Sequence, residues 1–223
     1  FMKKQMAALA VGAVFATIFT MVGCSGSETF EAKNYSSGEA DVRSVVIDVE
    51  DRAVEVGLSD DGQVHIEYSE SEKEFYEVKL SESGELTMTL QTDKDWTDYI
   101  GTKPGAEYRT IKLLVPDAIL SDLTIRTTNE AVEVAPLSVQ GVVSLDANGG
   151  DLNFEKIGVG NRLELTAKNG NITGSVLGGW DDFSISCEFK KGECNLPQNK
   201  EGGDKTLLVN CNNGDIAVTF TAA

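Results

Sequence analysis

From residue 42 onward, apolar and polar residues alternate with a period of two, which is the pattern of β-strands that bury one face. The alternation is clear in Val45–Val49, in Val64–Tyr68 and in Leu86–Leu90. Short polar stretches such as residues 60–62 separate these runs as turns. Beyond the first 23 residues, no window longer than ten residues favours a helical period. The pattern therefore predicts an all-β fold.

The second half of the chain repeats this pattern at a constant interval. Three sets of positions recur at intervals of 20, 20, 20 and then 24 residues: Leu123, Val143, Leu163, Phe183 and Leu207; Ile125, Leu145, Leu165, Ile185 and Val209; Thr127, Ala147, Ala167, Cys187 and Cys211. Most copies continue through an Asn-Gly turn into a second short strand. Such a repeat is typical of solenoids, so we predict a parallel β-helix or β-solenoid-like stack with coils of about 20 residues. The N-terminal strand region should be continuous with this stack.

Stacked coils would bury the apolar columns and would pair the backbone of each coil with that of the next. An antiparallel sandwich of hairpins is the alternative, because it also uses Asn-Gly turns. The constant interval favours the solenoid, and it predicts that Ile125, Leu145, Leu165 and Ile185 line up as neighbours.

The N-terminus carries an export signal. Two lysines precede a 17-residue apolar run, Met6 to Val22, which has the length of a secretory signal core and is short for a membrane span. The run ends at Gly23-Cys24, which resembles the lipobox of bacterial lipoproteins. We expect residues 1–23 to be the signal peptide and Cys24 to be the lipidation site, with an uncleaved single-pass anchor as the alternative. The sequence then predicts a flexible tether over 24–41 and a β domain over 42–223.

Charge restricts the partners. The formal net charge is −17, and it becomes −19 once Lys3 and Lys4 leave with the signal peptide. An acidic surface repels nucleic acid and favours cationic partners. With 41% apolar residues, the chain can still bury a core.

Three cysteines remain beyond Cys24, and an exported protein can form disulfides. The repeat places Cys187 and Cys211 in the same column of consecutive coils, which is within disulfide range. Because three is an odd number, at least one thiol stays unpaired within the chain, and three free thiols are the alternative.

The repeat also resembles a known family. The stretch Thr110–Pro116, the strand Leu123–Ile125 and the repeated Asn-Gly-Asn/Asp-Ile turns look like the DUF4097 family of adhesin-like proteins. The resemblance covers roughly residues 42–220 and implies a bacterial, envelope-associated protein with a β-helix-like fold and no catalytic motif. The chain departs from the pattern at 129–131, which lacks the turn glycine, and at 190–204, which is enlarged.

Few residues suggest catalysis or metal binding. His65 is the only histidine and no nucleophile motif frames it, so we expect a solvated strand residue. Asp181 and Asp182 could form a glycosidase pair, but close carboxylates arise by chance among 36 acidic residues. The sequence motifs require no cofactor.

The segment 93–108 holds the remaining candidates. Asp93, Asp95 and Asp98 are only weak candidates for a calcium site, because the loop lacks the glycine and the glutamate of a calcium-binding loop. Trp96, Tyr99 and Tyr108 form a possible ligand loop, since aromatic rings stack on sugars and peptide side chains. The alternative is that these rings cap one end of the stack.

The sequence thus predicts a non-catalytic adhesion or binding module, lipid-anchored on the extracytoplasmic face of the membrane. Its partner would be an envelope protein, a glycan or a cationic peptide. A structural or envelope-stress protein that binds cationic partners is the first alternative, and a polysaccharide-active hydrolase is the second.

Overall fold

The computed structural model describes residues 28–95 and 103–221. These residues form eighteen strands and two short 3-10 helices, Ala106–Tyr108 and Trp180–Asp182. The strands are β1 Glu31–Ser36, β2 Ser44–Asp48, β3 Ala53–Leu58, β4 His65–Glu70, β5 Glu74–Leu80, β6 Glu85–Thr92, β7 Thr110–Val115, β8 Asp122–Thr127, β9 Val132–Val134, β10 Leu137–Val139, β11 Val142–Ala147, β12 Leu152–Val159, β13 Arg162–Asn169, β14 Ile172–Leu177, β15 Phe183–Lys191, β16 Asn199–Lys200, β17 Lys205–Asn213 and β18 Ile216–Thr221. The all-β prediction is confirmed.

The strands lie in two sheets of nine that face each other across one core. Sheet A has the order β1-β4-β7-β3-β9-β12-β14-β18, with β10 also paired to β12, and sheet B has the order β16-β15-β17-β13-β11-β8-β2-β6-β5. Pairs of successive strands such as β11 and β12 lie in opposite sheets and together form one coil, whereas β3 and β4 both lie in sheet A and β5 and β6 both lie in sheet B. Most neighbours within each sheet are parallel. The architecture is therefore β-solenoid-like, and the antiparallel sandwich is wrong.

The predicted core columns exist for the first three copies of the repeat. Leu145 lies directly opposite Ile125 on one side and Leu165 on the other, and all three are at most 1% exposed. The full column also includes strands that do not belong to the repeat. Its members, each opposite the next, are Met88, Ile47, Ile125, Leu145, Leu165, Val209 and Cys187.

The fourth and fifth copies do not stack in chain order, which corrects the predicted alignment. Strand β17 lies between β13 and β15, so Leu165 lies opposite Val209 and not next to Ile185. The enlarged segment 190–204 gives the chain enough length to fold back, and within it β16 pairs antiparallel with β15. The fourth copy consequently forms one end of the stack in sheet B.

The first coil is also out of chain order, because β2 pairs in parallel with both β6 and β8.

The expected tether over 24–41 is wrong for β1, which pairs antiparallel with β4 along six residues. Tyr35 on β1 is only 4% exposed. The burial of this ring explains why a short polar segment forms a strand at the edge of sheet A.

Turns between the sheets require left-handed backbone at some non-glycine positions. Asn129, where the sequence lacks the turn glycine, has a φ of 59°, and Asp51 in the neighbouring coil has a φ of 52°. Asn and Asp tolerate this conformation better than other residues with side chains. Asn129 Nδ2 donates to Asp51 Oδ1 over 2.7 Å, which ties the two turns together.

Within the described ranges, no helix is long and apolar enough to cross a membrane.

Candidate binding surfaces

Several predicted functional residues lie outside the described part of the chain. These are the lipidation site Cys24, the loop aromatics Trp96 and Tyr99, and Asp98. Their predicted roles stay predictions.

Tyr108 is the described member of the possible ligand loop. Its ring stacks on Phe30 with centroids 5.1 Å apart, and the side chain is half-buried at the end of a 3-10 helix. The contact links the segment before β1 to the segment before β7. In this arrangement Tyr108 packs within the chain.

Asp93 and Asp95, the weak calcium candidates, follow β6. The backbone N–H of Asp93 donates to the carbonyl of Lys73 over 2.9 Å. Among residues 28–95 and 103–221, no three His, Cys, Asp or Glu side chains group as metal ligands.

Next to these aspartates lies a buried ionic cluster that the sequence did not reveal. Arg52 is 2% exposed; its Nε donates to Tyr76 Oη over 2.6 Å and its Nη2 donates to Glu74. Lys94 donates to the other carboxylate oxygen of Glu74. Burial raises the pKa of Tyr76, and the Arg52 charge opposes this rise. The cluster ties β5, the edge strand of sheet B, to the segment between β2 and β3.

The Asn and Asp residues of the turns also have a structural role. Asp151 Oδ1 accepts the N–H of Asn171 over 2.7 Å, and Asn171 Oδ1 accepts the N–H of Asp215 over 2.9 Å. Asp215 Oδ1 in turn accepts the N–H of Glu193 over 2.8 Å. Each side chain thus satisfies a backbone donor of the next coil, which is turn chemistry rather than a row of free ligands.

His65 lies on the outer face of sheet A, as the alternation predicts. Its Nε2 is 2.8 Å from Asp61 Oδ2 in the preceding turn. The backbone N–H of Gln63 lowers the pKa of Asp61, and His65 adds to the effect. The contact joins a turn to a strand.

The outer face of sheet B extends across nine strands. Between the buried columns it carries charged side chains, among them Asp48, Arg126 and Glu164, together with nine small hydroxyl side chains. These hydroxyl residues are all half-buried: Ser44, Thr87, Thr89, Thr124, Ser144, Thr166, Ser184, Ser186 and Thr206. Small side chains on neighbouring strands keep this face flat and supply hydrogen-bond donors and acceptors at the spacing of the strands.

An open groove of about 480 Å³ crosses this face over β2, β8, β11, β13 and β17. Its floor includes Asp48, Arg126, Asp146 and Thr166, which lie opposite one another in that order. Burial raises the pKa of Asp146, Arg126 counteracts the rise, and Asp48 adds to it. A partly desolvated carboxyl in a groove lined by charged, amide and threonine side chains is suited to hydrogen bonding with a polar ligand.

The outer face of sheet A has a groove of about 660 Å³. Glu67, Lys112, Glu55 and Glu133 lie opposite one another in that order across β4, β7, β3 and β9. Three carboxylates around one ammonium give this face a local excess of negative charge. The alternation in the sequence already indicates which residues lie on the outer faces of the two sheets. Only the tertiary structure shows which of these residues are neighbours.

The three described cysteines do not share a column. Cys187 lies opposite Val209, whereas Cys211 lies opposite Phe189, so the expected Cys187–Cys211 column is wrong. The register differs because β15 and β17 pair two residues away from the alignment of the repeat. All three thiols are free, and the neighbour of Cys187 is Cys194, with the sulfur atoms 3.5 Å apart.

Comparison with known proteins supports the fold. A "putative cell adhesion protein" from Clostridium sporogenes ATCC 15579 is similar over 87% of this chain and 100% of its own, with 12% identity and a TM-score of 0.58. At this identity the likeness shows the fold alone. A "putative adhesin" from Bacteroides fragilis NCTC 9343 overlaps 88% of this chain and 100% of its own, with 14% identity and a TM-score of 0.31.

No curated protein matches the sequence significantly. Residues 42–175, which are more than half of the chain, match the Toastrack DUF4097 family, in agreement with the resemblance carried by the strands and turns. The chain therefore belongs to the Toastrack DUF4097 family.

Proposed function

We propose that this protein is a non-catalytic binding module of the cell envelope, lipid-anchored at Cys24, that contacts its partner through the outer face of sheet B. The observation that carries the proposal is the open groove on this face, whose lining combines carboxylate, amide and threonine side chains with Arg126 and Lys168. The fold similarity to a "putative cell adhesion protein" supports an adhesive role at the cell surface. The partner best suited to this face is a neutral, hydrogen-bonding chain such as a glycan.

The binding test uses purified full-length protein and polysaccharides isolated from bacterial envelopes. Thr166→Arg places a long cation in the groove of sheet B and should weaken binding at least tenfold. Thr173→Arg introduces the same side chain on the outer face of sheet A and should leave binding unchanged. Equal binding by the wild type and Thr166→Arg would contradict the use of this face.

Anchoring is tested separately by membrane fractionation. A lipid chain contributes about 0.8 kcal/mol per buried methylene, so the lipids on one cysteine can hold a protein at a membrane when more than one chain is attached. Cys24→Ser should move the protein from the membrane pellet to the soluble fraction. Continued pelleting of this variant would contradict lipid anchoring.

A second candidate function is the binding of cationic peptides through sheet A. The observation that favours it is the row of Glu67, Glu55 and Glu133 around Lys112. Attraction between exposed charges is screened by salt, with a Debye length of about 8 Å at 0.15 M. A pull-down from native envelopes at low and high salt separates the two functions, because only a cationic partner should be lost at high salt.

A further inference from the structure

The end of the stack formed by β15 holds two thiols side by side. Cys187 on β15 is 1% exposed, and Cys194 lies further along the chain, opposite Ile216 in a parallel bridge. Their Sγ atoms are 3.5 Å apart. Cys211 is buried in another column, between Ala167 and Phe189.

We propose that Cys187 and Cys194 form a disulfide bond when the protein meets a disulfide oxidant, and that Cys211 remains a free thiol. This pairing replaces the one suggested by the repeat. It follows from the insertion of β17, which takes Cys211 out of register with Cys187 and leaves Cys194 as the thiol in contact.

The backbone around both thiols is fixed in this position. The N–H of Cys187 donates to the carbonyl of Gln198 over 2.9 Å. On either side of Cys194, the N–H of Ile216 donates to Glu193 over 2.8 Å and the N–H of Asn195 donates to Ile216 over 3.2 Å. A disulfide needs sulfur atoms about 2.05 Å apart, so oxidation must bring the two sulfur atoms closer than they lie in the dithiol.

The oxidation proceeds by two thiol–disulfide exchanges with one oxidant molecule, RSSR. The Cys194 thiol loses its proton to solvent, and its sulfur attacks RSSR to form a mixed disulfide and release RS⁻. Cys187 then loses its proton and attacks the Cys194 sulfur, which closes the protein disulfide and releases the second RS⁻. Two protein thiols are oxidised, one RSSR is reduced to two thiols, and the released RS⁻ ions take up the protons.

Accessibility sets the order of these steps. Cys194 is partly exposed and Cys187 is buried, so the oxidant reaches Cys194 first. Burial raises the pKa of Cys187 to about 12, and the contact with Cys194 adds to the rise. Closure should therefore be the slow step, and its rate should increase about tenfold per pH unit between pH 7 and 9.

The bond would secure the cap of the solenoid. Residues 194–200 cross the end of the core, where Leu196 is 7% exposed and Lys200 Nζ donates to the carbonyl of Phe183 over 2.7 Å. Terminal coils need such a cover, because the strands behind them expose unpaired backbone groups. Linking Cys187 to Cys194 holds this crossing segment against the stack.

The test treats the full-length protein with oxidised glutathione, quenches it with acid, alkylates the remaining thiols and digests it with trypsin. The three cysteines fall in separate tryptic peptides, 169–190, 192–200 and 206–223. We expect peptides 169–190 and 192–200 to be linked and 206–223 to be alkylated. A link that includes 206–223, or alkylation of all three peptides, would overturn the proposal.

Variants give a second readout. The wild type should melt roughly 5 °C higher in the oxidised state than in the reduced state. Cys194→Ser should abolish this difference, while the control Cys211→Ala should retain it even if its overall stability falls. If the oxidised and reduced states of Cys194→Ser still differ in melting temperature as in the wild type, the pairing is refuted independently of the peptide map.

Discussion

Leu165 lies directly opposite Val209 in the parallel pair of β13 and β17, although Ile185 is the residue that follows it in the repeat. Both side chains are at most 3% exposed. The contact shows that β17, the last strand of sheet B in chain order, lies inside the stack. Strand β15, which precedes it in the chain, lies on its outer side.

This order predicts which core residues are energetically coupled. Leu165→Ala should cost about 2–5 kcal/mol, because it removes buried methyl groups and leaves a cavity. In a double-mutant cycle with Val209→Ala, the interaction energy should be about 0.5–3 kcal/mol, as for residues in contact. The measurement is chemical unfolding of the four proteins. The matched cycle of Leu165→Ala with Ile185→Ala should be close to additive, and stronger coupling there than with Val209 would contradict the strand order.

The buried ionic cluster should be sensitive to loss of its cation. Arg52→Met leaves the Glu74 carboxylate buried without one of its two cationic partners and should lower the free energy of unfolding by about 3 kcal/mol. Urea denaturation measures this loss.

The control for Arg52 is an exposed pair of the same chemistry. Arg162→Met removes the contact with Glu164, where the arginine side chain is 48% exposed, and should cost less than about 1 kcal/mol. A similar loss in both variants would mean that burial does not determine the effect. The double variant Arg52→Met, Glu74→Gln should recover part of the lost stability, because the buried carboxylate charge is removed together with the guanidinium.

Gly170 is required by the close approach of successive turns. A Cβ atom at this position would lie 2.1 Å from the carbonyl oxygen of Gly150 in the neighbouring coil. Gly170→Ala should therefore push the two coils apart and lower the melting temperature by several degrees. Gly179→Ala is the matched control, since its Cβ would meet Asp182 at an ordinary 3.7 Å. Equal melting temperatures for the two variants would exclude this steric cause.

Asp146, which lies in the groove of sheet B, should make the stability of the folded protein depend on pH. Burial raises its pKa above the ordinary value of 3.8, so the ionised form is less favourable in the folded than in the unfolded chain. Asp146→Asn should thus match the wild type below pH 3.8 and become the more stable protein as the pH rises through the folded pKa. Melting temperatures between pH 3 and 8 measure the difference. The control Thr166→Ser lies in the same groove and does not change the charge, so its melting temperature relative to the wild type should not depend on pH. If the melting temperatures of Asp146→Asn and the wild type differ by the same amount at every pH, the raised pKa of Asp146 is contradicted.

Much of the fold could be predicted from the sequence. Alternation with a period of two identified strands such as Leu123–Thr127, and the interval of 20 residues identified the parallel stacking of Ile125, Leu145 and Leu165. These features are local or strictly periodic, so no distant contact is needed to infer them. The two outer faces follow from the same alternation.

The strand order and the thiol neighbours could not be predicted in this way. The apolar patterns of β15 and β17 both suit the position next to β13, and the repeat alone would place β15 there. In the structure β17 takes that position and β15 lies beyond it. The contact of Arg52 with Glu74 likewise joins positions with no shared period.

The sequence by itself determined the alternation, the coil length and the columns of the central copies, because backbone pairing and burial act identically on each repeat. Only the tertiary structure decided that β2 and β17 lie inside the stack and that Cys187 meets Cys194 rather than Cys211. The physical reason is that the ends of a solenoid must cover exposed strand edges, and the chain satisfies this requirement through contacts between segments that the repeat does not relate.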